Sequence, residues 1–151
     1  MKIYQTICAV CKLEIKEIHD VGIHGQRCGW CHYGFHDSCV KDDLICDFGL
    51  LRDFILPPFA IKACRSKKAP NLHLKEITPI PDDEWKDWCP LIVIANSSSG
   101  ASEADEVVSV FKKLLNSIQV FYLSSRGPNE ALLIAKLLPV KSRIVVCGGD
   151  G

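Results

Sequence analysis

The feature that most constrains this chain is a set of cysteines and one histidine at fixed spacing in its first third. Cys8 and Cys11 form a C-x2-C pair, and after sixteen intervening residues Cys28 and Cys31 form a second. His36 and Cys39 follow as C-x4-H-x2-C, and Cys46 comes after six more intervening residues. Each pair can present two thiolates to one tetrahedral zinc, with the imidazole and further thiolates completing the shells. A shell closed in this way leaves no position for water, so the zinc is expected to be structural. The chain has nine cysteines, an odd total, and its start has neither a long apolar run nor a small-residue cleavage site. That combination favours metal ligation over a disulfide framework. His19, His24, His32 and His73 are read as solvated or packed side chains rather than ligands.

Three zones follow along the 151 residues. Residues 1–47 form the cysteine-rich module. Residues 48–88 are expected to be a connector; they hold Pro57, Pro58, Pro70, Pro79 and Pro81, and the basic stretch Lys62–Lys68 reads as a solvated linker. Residues 89–151 alternate strand and helix. The apolar run 90–95 has the pattern of a strand covered on both faces. A helix after it takes Ser102 as N-cap and places Val107, Val108, Phe111, Leu114 and Leu115 on one face. The next strand spans 118–123. Pro128 is expected to open a helix with Ala131, Leu132, Ala135 and Leu138 on its inner face. Arg143–Cys147 forms the third strand. The expected fold is thus a small zinc-stapled α+β module followed by an incomplete α/β domain with a parallel β-α-β-α-β sheet.

Composition excludes other classes. Eighteen basic residues balance eighteen acidic ones, so no general electrostatic argument for nucleic acid exists. No apolar segment reaches the roughly 18 residues that span a bilayer. A cytoplasmic location with peripheral membrane contact is the resulting expectation.

Neither of the common phosphate-loop motifs occurs. A Ser/Gly turn, Asn96–Gly100, instead follows the first strand of the last zone, and Gly148-Gly-Asp-Gly151 follows the third. By itself, the second reads as a tight turn. In an open parallel sheet, however, ligands bind outside the carboxyl ends of the strands. Glycine lets backbone N–H groups approach phosphate oxygens, and an acidic residue among them can steer Mg²⁺. Together the two loops point to a nucleotide.

The cysteine spacing resembles the protein-kinase-C-type cysteine-rich zinc domain, in which two zincs interleave. The resemblance implies one site at Cys8, Cys11, His36 and Cys39 and another at Cys28, Cys31 and Cys46. In that family the fourth ligand of the second site is a His upstream of the first cysteine. None of the seven residues before Cys8 is His, so a residue before Met1 supplies it or the site is defective. The lipid-binding pattern of the family survives only in fragments, so a structural or docking role is expected of the module.

Trp88–Gly100, Leu114–Leu123 and Arg143–Gly151 resemble the opening of the diacylglycerol kinase catalytic domain. The connector residues Cys46–Gly49 and Ile55–Pro58 are most similar to the epsilon type. The resemblance implies ATP-dependent phosphorylation of diacylglycerol to phosphatidic acid, with Mg²⁺. The implied nucleotide contacts are Asn96, Ser99, Gly100, the Ser124 hydroxyl, Gly148, Gly149, Asp150 and Gly151. Glu103 and Asp105 make the region after the first loop unusually acidic for a phosphate site. The catalytic residues are expected beyond Gly151, leaving residues 1–151 inactive alone. The alternative is a zinc-dependent membrane- or protein-binding adaptor without catalysis; a nucleic-acid reader is the weakest reading.

Overall fold

The computed structural model describes residues 7–15, 17–18, 22–23, 25–66, 69–81, 83–96 and 101–148. The chain divides into two compact units, Met1–Leu50 and Leu51–Gly151.

The first unit is built from short antiparallel pairs. Strands β1 (Glu17–Ile18) and β2 (Gly22–Ile23) pair with each other, as do β3 (Gly25–Arg27) and β4 (Gly34–His36). The helical part of the expected α+β module reduces, among the described residues, to a single 3₁₀ turn at Asp37–Cys39. Gly25 is required where β3 crosses β4, since a Cβ there would sit 2.7 Å from the Phe35 carbonyl oxygen. Of the described apolar side chains in this unit, only Cys8, Phe35 and Phe48 are buried. So small a core does not hold a fold without a staple.

The 3₁₀ segment Gly49–Phe54 runs across the boundary, and the second unit continues with a 3₁₀ turn, Pro58–Ala60, and an antiparallel hairpin, β5 (Ile61–Ser66) with β6 (Ala69–Ile77). Next come β7 (Leu91–Ala95), helix α1 (Ala101–Leu114), β8 (Val120–Tyr122), helix α2 (Leu123–Leu137) and β9 (Arg143–Cys147). Strands β8, β7 and β9 form a parallel sheet in that order, with β7 at its centre. Ile92, Val93, Ile94 and Ala95 are all buried, as a strand covered on both faces requires.

Two expectations are corrected here. The stretch read as a connector is part of the core. Leu56, Ala60, Ile77 and Trp88 pack with Ile92, Ile94 and Phe121 of the sheet and with Ala131, Ile134 and Leu138. The described part of Lys62–Lys68 lies in strand β5 rather than in a solvated linker. Pro57 and Pro58 look like linker punctuation, but they set a turn between the buried Leu56 and the buried Ala60. The second correction concerns α2. It starts at Leu123 directly after β8, so Pro128 lies within the helix instead of opening it. Its buried face is Ala131, Ile134 and Leu138, and Leu132 is 45% exposed. On α1, Val107 likewise turns outward while Val108 is buried.

A polar latch joins the former connector to the sheet. The buried Gln119 amide donates from Nε2 to the carbonyls of Phe54 (2.8 Å) and Leu91 (2.7 Å). Its Oε1 accepts from the N–H groups of Leu56 (2.7 Å) and Asn116 (3.2 Å). Asn116 donates to Leu56 O at 3.0 Å, and its side chain caps the 3₁₀ turn Ser117–Gln119. Every polar atom of the Gln119 amide is thereby satisfied, which is what its burial demands.

Candidate metal centres and nucleotide site

Both C-x2-C pairs fold into the same turn. In the first, the Lys12 N–H donates to Cys8 O at 2.9 Å and the Cys8 N–H to Leu13 O at 2.8 Å. In the second, the His32 N–H donates to Cys28 O at 3.1 Å and the Cys28 N–H to Tyr33 O at 3.0 Å. The residue after each second cysteine, Lys12 and His32, has φ of 61°. That conformation costs a non-glycine residue on the order of 1 kcal/mol. The turn persists in duplicate because it aims two sulfurs at one point.

The turns gather the sequence-predicted ligands into two groups. The ligand atoms of Cys8, Cys11, His36 and Cys39 lie within 4.8 Å of one another, and so do those of Cys28, Cys31 and Cys46. These cysteines are all free thiols. In the first group, His36 Nδ1 is 3.3 Å from Cys11 Sγ and 4.0 Å from Cys39 Sγ. Its Nε2 is 3.1 Å from the carbonyl oxygen of Glu14. A carbonyl only accepts, so the ring proton belongs on Nε2 and the Nδ1 lone pair faces the sulfurs. In the second group, Cys28 and Cys46 Sγ are 3.6 Å apart. That separation matches the tetrahedral edge of roughly 3.8 Å that follows from a Zn–S bond of about 2.3 Å. Among the described residues this group has three ligands.

Backbone donors point at three of the sulfurs. The N–H of His36 points at Cys8 Sγ (3.5 Å), that of Trp30 at Cys28 Sγ (3.4 Å) and that of Phe48 at Cys46 Sγ (3.3 Å). At Cys8, burial pushes the thiol up, but donation from the Cys11, His36 and Val10 backbone outweighs it and brings the pKa down to about 6. Cys28 is lowered in the same way, backbone donors of Cys31 and Trp30 overcoming burial. Burial and neighbouring thiols push Cys31 up to about 12, and both Cys39 and Cys46 are raised, burial again leading. Each group therefore contains thiols that ionise readily and thiols that do so only beside a cation. The donor sets and their spacing fit zinc.

His32 is packed, as expected: its Nε2 is buried without a hydrogen-bond partner, and burial with the nearby Arg27 charge lowers its pKa.

In the second unit, the sheet brings together two of the expected nucleotide contacts. Asn96 follows β7 directly and Gly148 follows β9, and the Asn96 N–H donates to Cys147 O at 2.8 Å. With β8 and β9 flanking β7, this is where the strand order reverses, the place at which open parallel sheets bind ligands. Ser124 lies on the neighbouring strand end, in the first turn of α2. Ser99, Gly100, Gly149, Asp150 and Gly151 lie outside the described residues. Asp105 is engaged with Tyr122, whose hydroxyl pKa is raised by burial and then by that carboxylate's charge and hydrogen bond. The Lys112 ammonium sits 4.8 Å over the same ring. The acidic charge noted in the sequence is thus partly absorbed by a local cluster.

Sequence reasoning missed Gln119 and Asn116, which hold the Leu51–Leu56 segment against the start of β7. The Asn116-Ser-Ile-Gln119 spacing is a capping-box signature and carried the signal.

Comparison with known proteins agrees with the geometry. Residues 90–151 match the diacylglycerol kinase catalytic domain model. Over 95% of its length the chain is 36% identical to diacylglycerol kinase 1 of Drosophila melanogaster and 33% identical to diacylglycerol kinase delta of Mus musculus. It is 33% identical to probable diacylglycerol kinase 3 of Caenorhabditis elegans, again over 95% of its length. The chain spans only 13%, 11% and 18% of those three proteins, respectively. No solved structure matches it. From the cysteine-rich module through residues 90–151, the chain is similar in sequence to diacylglycerol kinases, and residues 90–151 match their catalytic-domain model.

Proposed function

We propose that the protein carrying this chain is an ATP-dependent diacylglycerol kinase that transfers the γ-phosphoryl group of ATP to the free hydroxyl of diacylglycerol, giving phosphatidic acid. The observation that carries the reading is the match of residues 90–151 to the catalytic-domain model, with Asn96 and Gly148 meeting at the strand-order reversal. Such a transfer needs the phosphates held in line, their charge neutralised and water kept away. This chain's contribution is the first requirement. Backbone N–H groups of the two loops, Asn96–Gly100 and Gly148–Gly151, would hold phosphate oxygens, joined by the Ser124 hydroxyl. Asp150 is the acidic side chain of the second loop and would face Mg²⁺, which supplies charge neutralisation when bound.

The module of residues 1–47 would hold zinc at Cys8, Cys11, His36 and Cys39 and at Cys28, Cys31 and Cys46. Zinc there supplies folding energy, since this unit buries little else. Residues 89–151 would be catalytic-domain sequence, and Cys46–Gly49 with Ile55–Pro58 favour the epsilon type. Among the described residues no helix is long and apolar enough to cross a membrane; peripheral, cytoplasmic association with the lipid surface fits a lipid substrate. The test is transfer of labelled phosphate from ATP to diacylglycerol by the protein.

A second reading, a zinc-dependent adaptor, is favoured by the exposed Ile7, Val10, Leu13 and Ile45 of the module, 56%, 46%, 66% and 90% accessible. Membrane or protein binding without phosphate transfer would select it.

A further inference from the structure

Beyond holding the module together, the second thiol group does something that the first does not. We infer that it is a metal-controlled clasp on the segment Cys46–Leu50, by which the chain leaves the first unit.

Four observations converge on that segment. The Phe48 N–H donates to Cys46 Sγ at 3.3 Å, so the ligand sulfur is itself the acceptor that fixes the next turn of backbone. Phe48 and Gly49 then take consecutive left-handed conformations, φ 62° and 58°. This conformation is costly for phenylalanine. Phe48 is nonetheless 7% exposed, its ring edge-on to Trp30 of the second C-x2-C turn at 5.7 Å. Gly49 lies so close to Cys31 that a Cβ would sit 3.2 Å from its carbonyl oxygen and 3.3 Å from its Cβ.

The segment is therefore pressed between two ligands of one group, Cys31 and Cys46, in a conformation that its own sequence disfavours. The Gly49 N–H bond to Asp47 Oδ1, 2.9 Å, is exposed and adds little. With a cation across Cys28, Cys31 and Cys46, the strained turn is held. Once the cation leaves, Phe48 and Gly49 relax toward ordinary backbone. The members of the first group lie elsewhere in the chain, in the first turn, at the end of β4 and in the turn Asp37–Cys39.

The inference rests on the metal-loading part of the reading above, and one experiment separates the two. The zinc-loaded full chain is titrated with EDTA while bound metal is counted by mass spectrometry and amide exchange is followed by peptide. Cys46→Ser serves as the reference for a chain that loads only the first group. On loss of one metal equivalent, exchange at residues 47–50 is expected to accelerate at least tenfold, with Gly34–His36 still protected. Gly49→Ala is expected to weaken the second metal about tenfold or more and leave the first unchanged, as loss of an outer-shell support does. Two bound metals with exchange at 47–50 indifferent to their removal would overturn the clasp, as would loss of both metals in one step. A purified, folded chain that binds no metal would overturn the metal-loading reading and the clasp with it.

Discussion

The imidazole of His36 bridges two roles: Nε2 donates to the Glu14 carbonyl at 3.1 Å while Nδ1 faces the Cys11 sulfur at 3.3 Å. The Glu14 carbonyl raises the basicity of the ring first, and the Cys11 and Cys8 sulfurs add to it. This orientation fixes the tautomer that a metal-ligating histidine needs.

His36→Ala is expected to remove one equivalent of zinc and to unfold the first unit, because a structural zinc contributes roughly 10 kcal/mol or more to such a small module. His36→Cys keeps four ligands and is expected to retain the metal. Zinc counted per chain, with circular dichroism of each variant, checks both.

Metal affinity depends on pH in a direction that follows from the thiols. Cys31 and Cys46 are both raised in the metal-free module, so both carry protons at neutral pH and must release them to bind zinc. Acidification therefore favours release. Affinity at this group is expected to fall about a hundredfold per pH unit for two displaced protons, as in any such linkage. Competition titrations against a chromogenic chelator between pH 6 and 8 measure the slope, and a flat profile would contradict it.

Gln119→Leu removes four hydrogen bonds and strands two part-buried carbonyls, one part-buried N–H and the buried N–H of Leu56. At about 1–3 kcal/mol for each unsatisfied group, less local relaxation, a loss of at least about 3 kcal/mol is expected. Asn116→Ala is expected to cost less, about 1–2 kcal/mol, since it removes a cap and the bond to Leu56 O. Thermal unfolding of the full chain, followed through the signal of the second unit, ranks the two.

Gly25→Ala places a methyl 2.7 Å from the Phe35 carbonyl and 2.8 Å from Ile15 Cγ2. Because one of those atoms is backbone, the β3–β4 pairing must open. Slower zinc uptake and lost protection at Gly34–His36 are the expected signs, measured by amide exchange.

Each C-x2-C pair was readable because knuckle spacing is short-range, two sulfurs three residues apart admitting few other arrangements; the grouping of the pairs with His36, Cys39 and Cys46 came from the resemblance to the protein-kinase-C-type zinc domain. Strands β7 and β9 were readable from their apolar runs. The folded nature of Leu51–Trp88 was not, because it depends on Gln119, which lies 63 residues beyond its partner Leu56. The start of α2 was misread since Pro128 is a strong opening signal, yet the helix tolerates it five residues after its first residue, Leu123. Asn96 and Gly148 were named from the sequence as expected nucleotide contacts, and the register of β7 on β9, Ala95 opposite Cys147, sets them at adjacent strand ends.

The measurement to make is phosphate transfer by the protein expressed from its full transcript and loaded with zinc, with ATP, Mg²⁺ and vesicles containing diacylglycerol. ATP-dependent formation of phosphatidic acid is expected, falling about tenfold or more in kcat/KM for ATP when Gly148 is replaced by Val with thermal stability unchanged. A folded, zinc-loaded protein that yields no phosphatidic acid and binds no ATP would contradict the kinase reading and leave the adaptor in its place.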